Sequence, residues 1–384
     1  MQRRSFIGLV GGGVVAAAVP TLSGCSSDVP QAALQAWKGP EPNEEIRKWI
    51  LSYALLAPNA HNLQSWLVDL GRPGEIVLYC DTKRLLPETD PQHRQIMLTQ
   101  GTFLELLSIA ARERGLNAQI SLFPNGAFDV GNNSARPVAL IKLIPDASVT
   151  RDPLFAQVMR RRTNRELYSD QLVPPSALQA IRKSLAGSEV TLGAVDANAS
   201  DLLRHHRELA MEAFRIELLT PRTMMESLRV IRVGPTEIAE HRDGISLNKP
   251  MPRLMASLGL FDRSKAPAAN DTSVSIQLSD FQKNLNSTHA FLWLTSKGNS
   301  RETQVNAGRA YVRAQLAATA QGLSMQPLSQ ALQEYPEQAP MYAAAHRLMG
   351  APIAEQTVQM WVRLGYAPSV QPSPRRGLAH LVMM

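Results

Sequence analysis

Gly101-Thr-Phe-Leu-Glu-Leu-Leu-Ser-Ile-Ala-Ala-Arg-Glu-Arg-Gly115-Leu116 returns 207 residues later as Gly308-Arg-Ala-Tyr-Val-Arg-Ala-Gln-Leu-Ala-Ala-Thr-Ala-Gln-Gly322-Leu323. Ala-Ala falls in the same place in both copies, at 110–111 and 317–318, and an arginine, Arg94 or Arg301, stands seven residues ahead of each first glycine. A run of helix formers closing on glycine reads as a helix. Apolar, β-branched runs flank each copy in the same order, 75–79 and 138–143 around the first, 290–294 and 358–364 around the second. These read as strands. The pattern predicts two copies of one α+β unit in a single chain, a fused dimer whose small helical residues allow close approach. Chance likeness of two Ala-rich helices is the plainer alternative.

The 384 residues are 44% hydrophobic, with a mean hydropathy of −0.15, enough for one large core or two ordinary ones. The net charge of +7 becomes +5 without the leader, which holds Arg3 and Arg4 and no acid. So mild an excess, with no basic run interleaved with aromatics, argues against nucleic acid as a partner. Arg3-Arg4-Ser5-Phe6-Ile7 precedes an apolar run, 8–19, shorter than the roughly 20 residues a membrane span needs. A twin arginine before a weakly hydrophobic core reads as a Tat export signal. Leu22-Ser23-Gly24-Cys25 resembles a bacterial lipobox, which makes residues 1–24 a signal peptide and Cys25 the lipidated N-terminus. Ser26 after it leans toward the outer rather than the inner membrane, with the globule in the periplasm. Residues 25–45 then read as a tether, 46–150 as the first half, and 151–384 as the second half with an insertion at about 221–271. Cys80 is the remaining thiol and reads as a buried strand residue, with no disulfide possible.

The halves differ at their edges. Arg160-Arg-Arg-Thr-Asn-Arg-Glu-Leu167 opens the second half and has no counterpart near 41–47. Guanidinium forks grip phosphate two oxygens at a time, so Arg161 and Arg165, with Thr163 between them, can converge on one phosphate. If the segment opens a helix, its free N–H groups add to the field; the alternatives are a solvated basic face or a helix C-terminus. Ala57-Pro-Asn-Ala-His-Asn-Leu-Gln-Ser-Trp66 occurs in the first half, and residues 266–270 are its only echo. One complete site per chain is the expectation. Thr89 to Arg94 reads as a turn and helix start. The eight histidines show no metal-ligand spacing, so no metal site is expected. Neither Gly-X-Gly-X-X-Gly nor Gly-X-Ser-X-Gly is present. Residues 221–271 break the repeat and are expected to cover a face of the site.

These segments together, with 322–330 and Ser373-Pro-Arg-Arg376, resemble the nitroreductase family of FMN-binding oxidoreductases, in its single-chain, Acg-like branch, over nearly everything after residue 45. The resemblance implies a three-layer α-β-α sandwich with mixed, largely antiparallel sheets and FMN as cofactor. Arg161, Thr163 and Arg165 would hold the phosphate, with Arg375 or Arg376 closing from the C-terminal side. Pro58, Asn59, Ala60 and Asn62 would reach the flavin from the first half, Asn62 at the pyrimidine edge. Asn59 and Ser65 depart from the family's serine and proline. Backbone groups of Pro327, Leu328, Ser329 and Gln330 would bond N5 and O4, and Lys283 would offset charge at N1 and O2. Ser329 and Gln330 replace an acidic residue and a glycine. The implied activity is reduction of a small planar acceptor, a nitroaromatic or quinone, by reduced flavin. The electron donor stays open, because NAD(P)H is not expected outside the cytoplasmic membrane. A membrane-anchored protein that binds flavin or another ligand without turnover is the second reading. Either would be a monomer acting as an internal pseudo-dimer.

Overall fold

The computed structural model describes residues 28–127 and 136–383. The expected signal peptide and Cys25 lie outside the described residues. The chain runs α1 (Ile46–Ala54), β1 (Trp66–Asp69), β2 (Glu75–Cys80), α2 (Arg94–Glu113), β3 (Leu116–Leu122) and β4 (Ala139–Pro145). It continues through α3 (Pro175–Lys183), β5 (Thr191–Asp196), α4 (Ser200–Leu219), α5 (Pro221–Arg229), β6 (Ile231–Val233), α6 (Gly234–His241), β7 (Ile245–Leu247), α7 (Pro250–Ser257) and α8 (Thr272–Asn286). It closes with β8 (Ala290–Lys297), α9 (Arg301–Ala320), β9 (Ser324–Pro327), α10 (Ala339–Leu348) and β10 (Gln356–Gly365).

The repeated segments become α2 and α9, helices of 20 residues that each begin on the arginine. Local chemistry fixes both ends. The Asp90 carboxylate accepts from the N–H groups of Gln95 and Ile96 at 3.1 and 2.9 Å, and the Ser300 hydroxyl accepts from Thr303 N–H at 3.2 Å. Gly115 and Gly322 follow the two helices at φ 67° and 73°, the left-handed conformation that ends a helix cheaply only at glycine.

Two four-stranded sheets have the same order, β1-β2-β4-β3 and β5-β8-β10-β9, with neighbouring strands antiparallel. Among the described residues, parallel pairing is confined to the β6–β7 ribbon and to two single bridges, Val68 with Val382 and Thr163 with Met325. In the second sheet, period-two alternation sends Leu292 and Val362 toward α3 and α9, and Phe291 and Trp361 toward α4, α8 and α10. That sheet is therefore the middle of three layers. Each such large side chain, fully buried, contributes about 1.5–3 kcal/mol. The first sheet buries one face on α1 and α2, while Val77 and Tyr79 on the other stay half-exposed.

Three sequence expectations change in detail. The close approach of α2 and α9 falls at glycines, because Ala110–Ala111 lie in the first core and Ala317–Ala318 in the second. The departure from the repeat is wider than 221–271: β1 and β2 are joined by residues 70–74, whereas α4 to α8 all lie between β5 and β8. The described part of the 25–45 segment is no free tether. Residues 31–38 form a 3-10 helix, Ala33 is fully buried, and Trp37 donates to Ser373 O at 2.9 Å. The chain end also crosses over, with Val68 N–H donating to Leu381 O at 2.9 Å and Met383 N–H to Val68 O at 2.8 Å, so the tail of the second half extends the first sheet.

The α2–α9 contact is reciprocal. A Cβ on Gly101 would lie 1.9 Å from Val305 O, and one on Gly308 would lie 2.0 Å from Leu98 O. The obstacle is backbone on both sides, so the helices would have to part. Glu105, buried on α2, takes Arg309 and Arg313 of α9 at 2.9 Å each. We expect Gly101→Ala or Gly308→Ala to destabilise the chain by about 3 kcal/mol or more. Urea unfolding measures this, and a loss below about 1 kcal/mol in both would contradict the close approach.

Candidate functional site

The polypeptide beyond α1 presents three carbonyls, those of Leu55, Leu56 and Ala57, to arginines from elsewhere in the chain. Arg375 donates to Leu55 O at 3.1 Å, Leu56 O at 3.3 Å and Ala57 O at 3.0 Å, and Arg161 donates to Leu56 O at 3.0 Å. Carbonyls at a helix C-terminus carry partial negative charge, so the helix-end alternative accounts for part of this arrangement. It does not neutralise it. Arg161 and Arg375 are 3% and 2% exposed, and the charges that bear on them are those of other arginines and of Tyr311. No carboxylate forms an ion pair with Arg161, Arg165 or Arg375 among the described residues. Burial pushes the Arg161 guanidinium down to about 10, and lowers Arg375 well below its ordinary value.

Several polar groups at this place lack partners. Arg161 Nε, the Tyr311 hydroxyl and His61 Nδ1 are buried without a hydrogen bond. Arg165 makes none among the described residues; its side chain keeps solvent access, yet desolvation lowers its pKa. That combination describes a group in a recess. His61 is half-exposed and in the same situation, held down to about 4 by burial and by Arg165, and is thus neutral at neutral pH. Arg162 lies 4.5 Å and Arg375 5.6 Å from the centre of the Trp37 ring, which covers the cluster on one side.

The basic segment does not open a helix. A 3-10 turn at Pro153–Gln157 precedes it, and it runs extended, with Thr163 bridging Met325 and Asn164 N–H donating to Met325 O at 3.1 Å. What it can offer an anion is therefore side chains rather than helix N–H groups.

The loop after α1 is strained: His61, Asn62 and Gln64 all have positive φ, at 45°, 56° and 55°. Hydrogen bonds hold it there. Asn59 Oδ1 accepts from Gln64 N–H at 2.9 Å, Ala60 N–H donates to Thr99 Oγ1 at 3.1 Å, and Pro58 O accepts from Thr102 Oγ1 at 2.7 Å. Asn62 differs from its expected place at a ring edge. Its amide donates to Pro374 O at 3.1 Å and its oxygen accepts from Arg375, so it clamps the C-terminal segment. Arg376 is fastened likewise, through N–H to Gln64 Oε1 at 2.8 Å and Nη2 to Gln64 O at 2.7 Å.

The 327–330 loop leaves β9 on the same bridge that carries Thr163. Leu328 N–H is spent on Trp361 O at 2.8 Å, which leaves those of Ser329 and Gln330 as the loop's donors. The Gln330 side chain turns to Glu217 of α4, which also accepts from Gln333 Nε2 at 2.9 Å. Burial, with Glu226 nearby, raises Glu217 to about 7, so it can hold a proton at neutral pH beside this loop. Lys283 is exposed on α8 and pairs with Asp280 at 2.9 Å. The first-half loop, the basic segment and the C-terminal arginines come together.

Sequence reasoning missed Trp37, Tyr311, Gln315 and Glu217. Tyr311 and Gln315 stand four apart on the otherwise Ala-rich α9, one helical face, and Gln315 Oε1 accepts from Arg161 at 3.3 Å. That polar pair was a readable signal. Two surface clefts lie elsewhere, one of about 250 Å³ against Tyr79 and Asn125 and one of about 460 Å³ between Asp152 and Arg313. At the latter, Arg313 donates to Ser184 O beyond α3, as Arg161 does beyond α1, but Glu105 and Asp152 neutralise it. Among the described residues there is no group of His, Cys, Asp and Glu that could hold a metal.

No family model matches the chain. Two proteins from two strains of Mycobacterium tuberculosis, both provisionally named NAD(P)H nitroreductase, are each 26% identical over 350 residues, 89% of this chain and 92% of theirs. Among solved structures, an FMN- and NADPH-dependent nitroreductase from Sphigopyxis sp. strain HMH is 17% identical, covering 61% of this chain and 99% of its own, with a TM-score of 0.37. An FMN-dependent nitroreductase from Mycobacterium smegmatis in complex with NADPH is 19% identical, covering 59% and 94%, with a TM-score of 0.36.

Proposed function

We propose that this chain, similar over nearly nine-tenths of its length to proteins named as nitroreductases, is an FMN-dependent oxidoreductase exported and lipid-anchored at Cys25. The observation that carries the flavin reading is the pair of buried arginines, Arg161 and Arg375, without a carboxylate, beside solvent-accessible Arg165 and the orphaned Arg161 Nε and Tyr311 hydroxyl. Buried charge costs several kcal/mol unless paired, so the cluster calls for an anion of more than one oxygen. A phosphate monoester fits this donor set. Arg161, Thr163 and Arg165 would hold the FMN phosphate, with Arg375 and Arg376 fixing the loop around it. FMN supplies hydride or single-electron transfer to a planar acceptor such as a nitroaromatic or quinone. The chain's part is to bind and orient: the 58–62 loop and the N–H groups of Ser329 and Gln330 would flank the ring, and Glu217, raised to about 7, can hold a proton beside the 327–330 loop. The meeting of the first-half loop with the second-half arginines supports a fused pseudo-dimer that would act as a monomer with one site. The reductant in the periplasm is a separate donor of unassigned chemistry.

The carbonyl bonds of Arg161 and Arg375 also favour a second reading, a scaffold that binds a flavin or another anion without turnover. Reoxidation separates the two, since dithionite-reduced holoprotein that a quinone does not reoxidise is a binder. Arg165 makes no hydrogen bond among the described residues, so its loss should leave the fold intact. We expect Arg165→Ala to weaken FMN binding by about 2 kcal/mol or more, some 30-fold or greater, and Arg160→Ala to change it less than threefold. Equal losses in a fluorescence titration would refute the phosphate assignment. For localisation, replacing Arg3 and Arg4 with Lys should keep the precursor in the cytoplasm, and Cys25→Ser should make the globule extractable from membranes without detergent. A wild-type protein recovered unlipidated in the soluble fraction contradicts the anchor.

A further inference from the structure

Met251, Leu254, Met255, Leu258 and Leu260 are 65%, 52%, 36%, 61% and 60% exposed, all on one short stretch. The first four fall at i, i+3, i+4 and i+7, a single helical face, while Pro252, Arg253 and Ala256 on the other side of α7 are half-buried. A surface helix normally points such a stripe at the core. Here it points at solvent, and contiguous exposed apolar surface of this kind marks a contact. Residues 249–265 carry four cations, Lys249, Arg253, Arg263 and Lys265, and one acid, Asp262. Arg263 pairs with Glu237 and Lys265 with Asp262, and Lys249 is exposed.

The position of the chain's N-terminal end selects the occupant. Asn248, two residues before α7, donates to Asp28 O at 2.7 Å, and Gln371 donates to Asp28 Oδ1 at 2.7 Å. Cys25 is three residues before Asp28, and three residues reach about 10 Å at most. A lipid on Cys25 would therefore enter its bilayer beside the start of α7.

We propose that the α7 face is a membrane-surface contact, its methionines and leucines seated among phospholipid acyl chains next to the Cys25 anchor, with exposed Lys249 at the headgroups. An anchor at one residue holds the globule to the bilayer but leaves it free to rotate about that point; a second contact fixes which way the flavin recess faces. The inference rests on the lipid-anchor part of the proposed function and not on the flavin part.

The test uses the mature chain, residues 25–384, carrying Cys25→Ser and Leu258→Cys, labelled at position 258 with an environment-sensitive fluorophore; Cys80 is buried and its thiol is raised to about 12, so it stays unlabelled. Vesicles of phosphatidylethanolamine and phosphatidylglycerol should shift the emission to shorter wavelength, and bilayer-embedded nitroxides should quench it. The same label on exposed Glu189→Cys should not respond. Adding Met251→Gln and Leu254→Gln to the labelled chain should lower vesicle affinity about tenfold. Because the lipid is absent, this outcome is independent of whether Cys25 is lipidated in cells. No vesicle-dependent shift at position 258 would overturn the proposal. So would a shift that appears with protein concentration alone, which means a second copy covers the face, or one that appears only with FMN or a quinone, which means α7 is a lid.

Discussion

The crossing of α2 and α9 at Gly101 and Gly308 is the constraint on which the rest of the molecule depends. With a hydrogen atom where any other residue has a Cβ, each helix backs onto the other's main chain, and a side chain at either place would meet a carbonyl oxygen below 2.1 Å. That approach brings Val305, Val312 and Leu316 of α9 into the first core and Leu98 of α2 into the second, so neither core is complete without the other helix. It also sets the distance between the polypeptide after α1 and the segment at 161–165. Arg161 reaches Leu56 O and Gln315 in one span because α9 lies against the first half.

A second constraint follows from charge. Arg161 and Arg375 sit beyond the end of α1 with carbonyls but no carboxylate, while the related position beyond α3 pairs Arg313 with Glu105 and Asp152. The two places share a backbone plan and differ in electrostatics. One is already neutral, and the other keeps a net charge that an incoming anion can relieve. At these two helix ends the asymmetry is thus a matter of a few acids.

Much of the fold was legible because the repeat is a matter of spacing. Arg94 and Arg301, Gly101 and Gly308, and Gly115 and Gly322 all keep one offset, and helix starts, crossing and stops depend on those positions. The basic segment and the 57–66 loop stood out in the sequence because each occurs in one half only, and the structure brings them together at the carbonyls after α1. What the sequence could not convey is which polar groups meet across long separations. Asn62 clamps Arg375 from 313 positions away, and Trp37 lies over Arg162 from within a stretch that reads as linker, since its burial depends on a surface made by other segments. The Lys283–Asp280 pair on α8 was likewise not conveyed by its placement before β8.

The central claim is that two like halves supply unlike parts of one anion site, and stoichiometry tests it most directly. The full chain carrying Cys25→Ser, weighed by static light scattering while FMN is titrated, should keep the mass of one chain and saturate at one flavin. Two flavins per chain would contradict the electrostatic distinction between the ends of α1 and α3. A mass of two chains whose flavin is lost on dilution would contradict the claim that α2 and α9 already provide the interface within a single polypeptide.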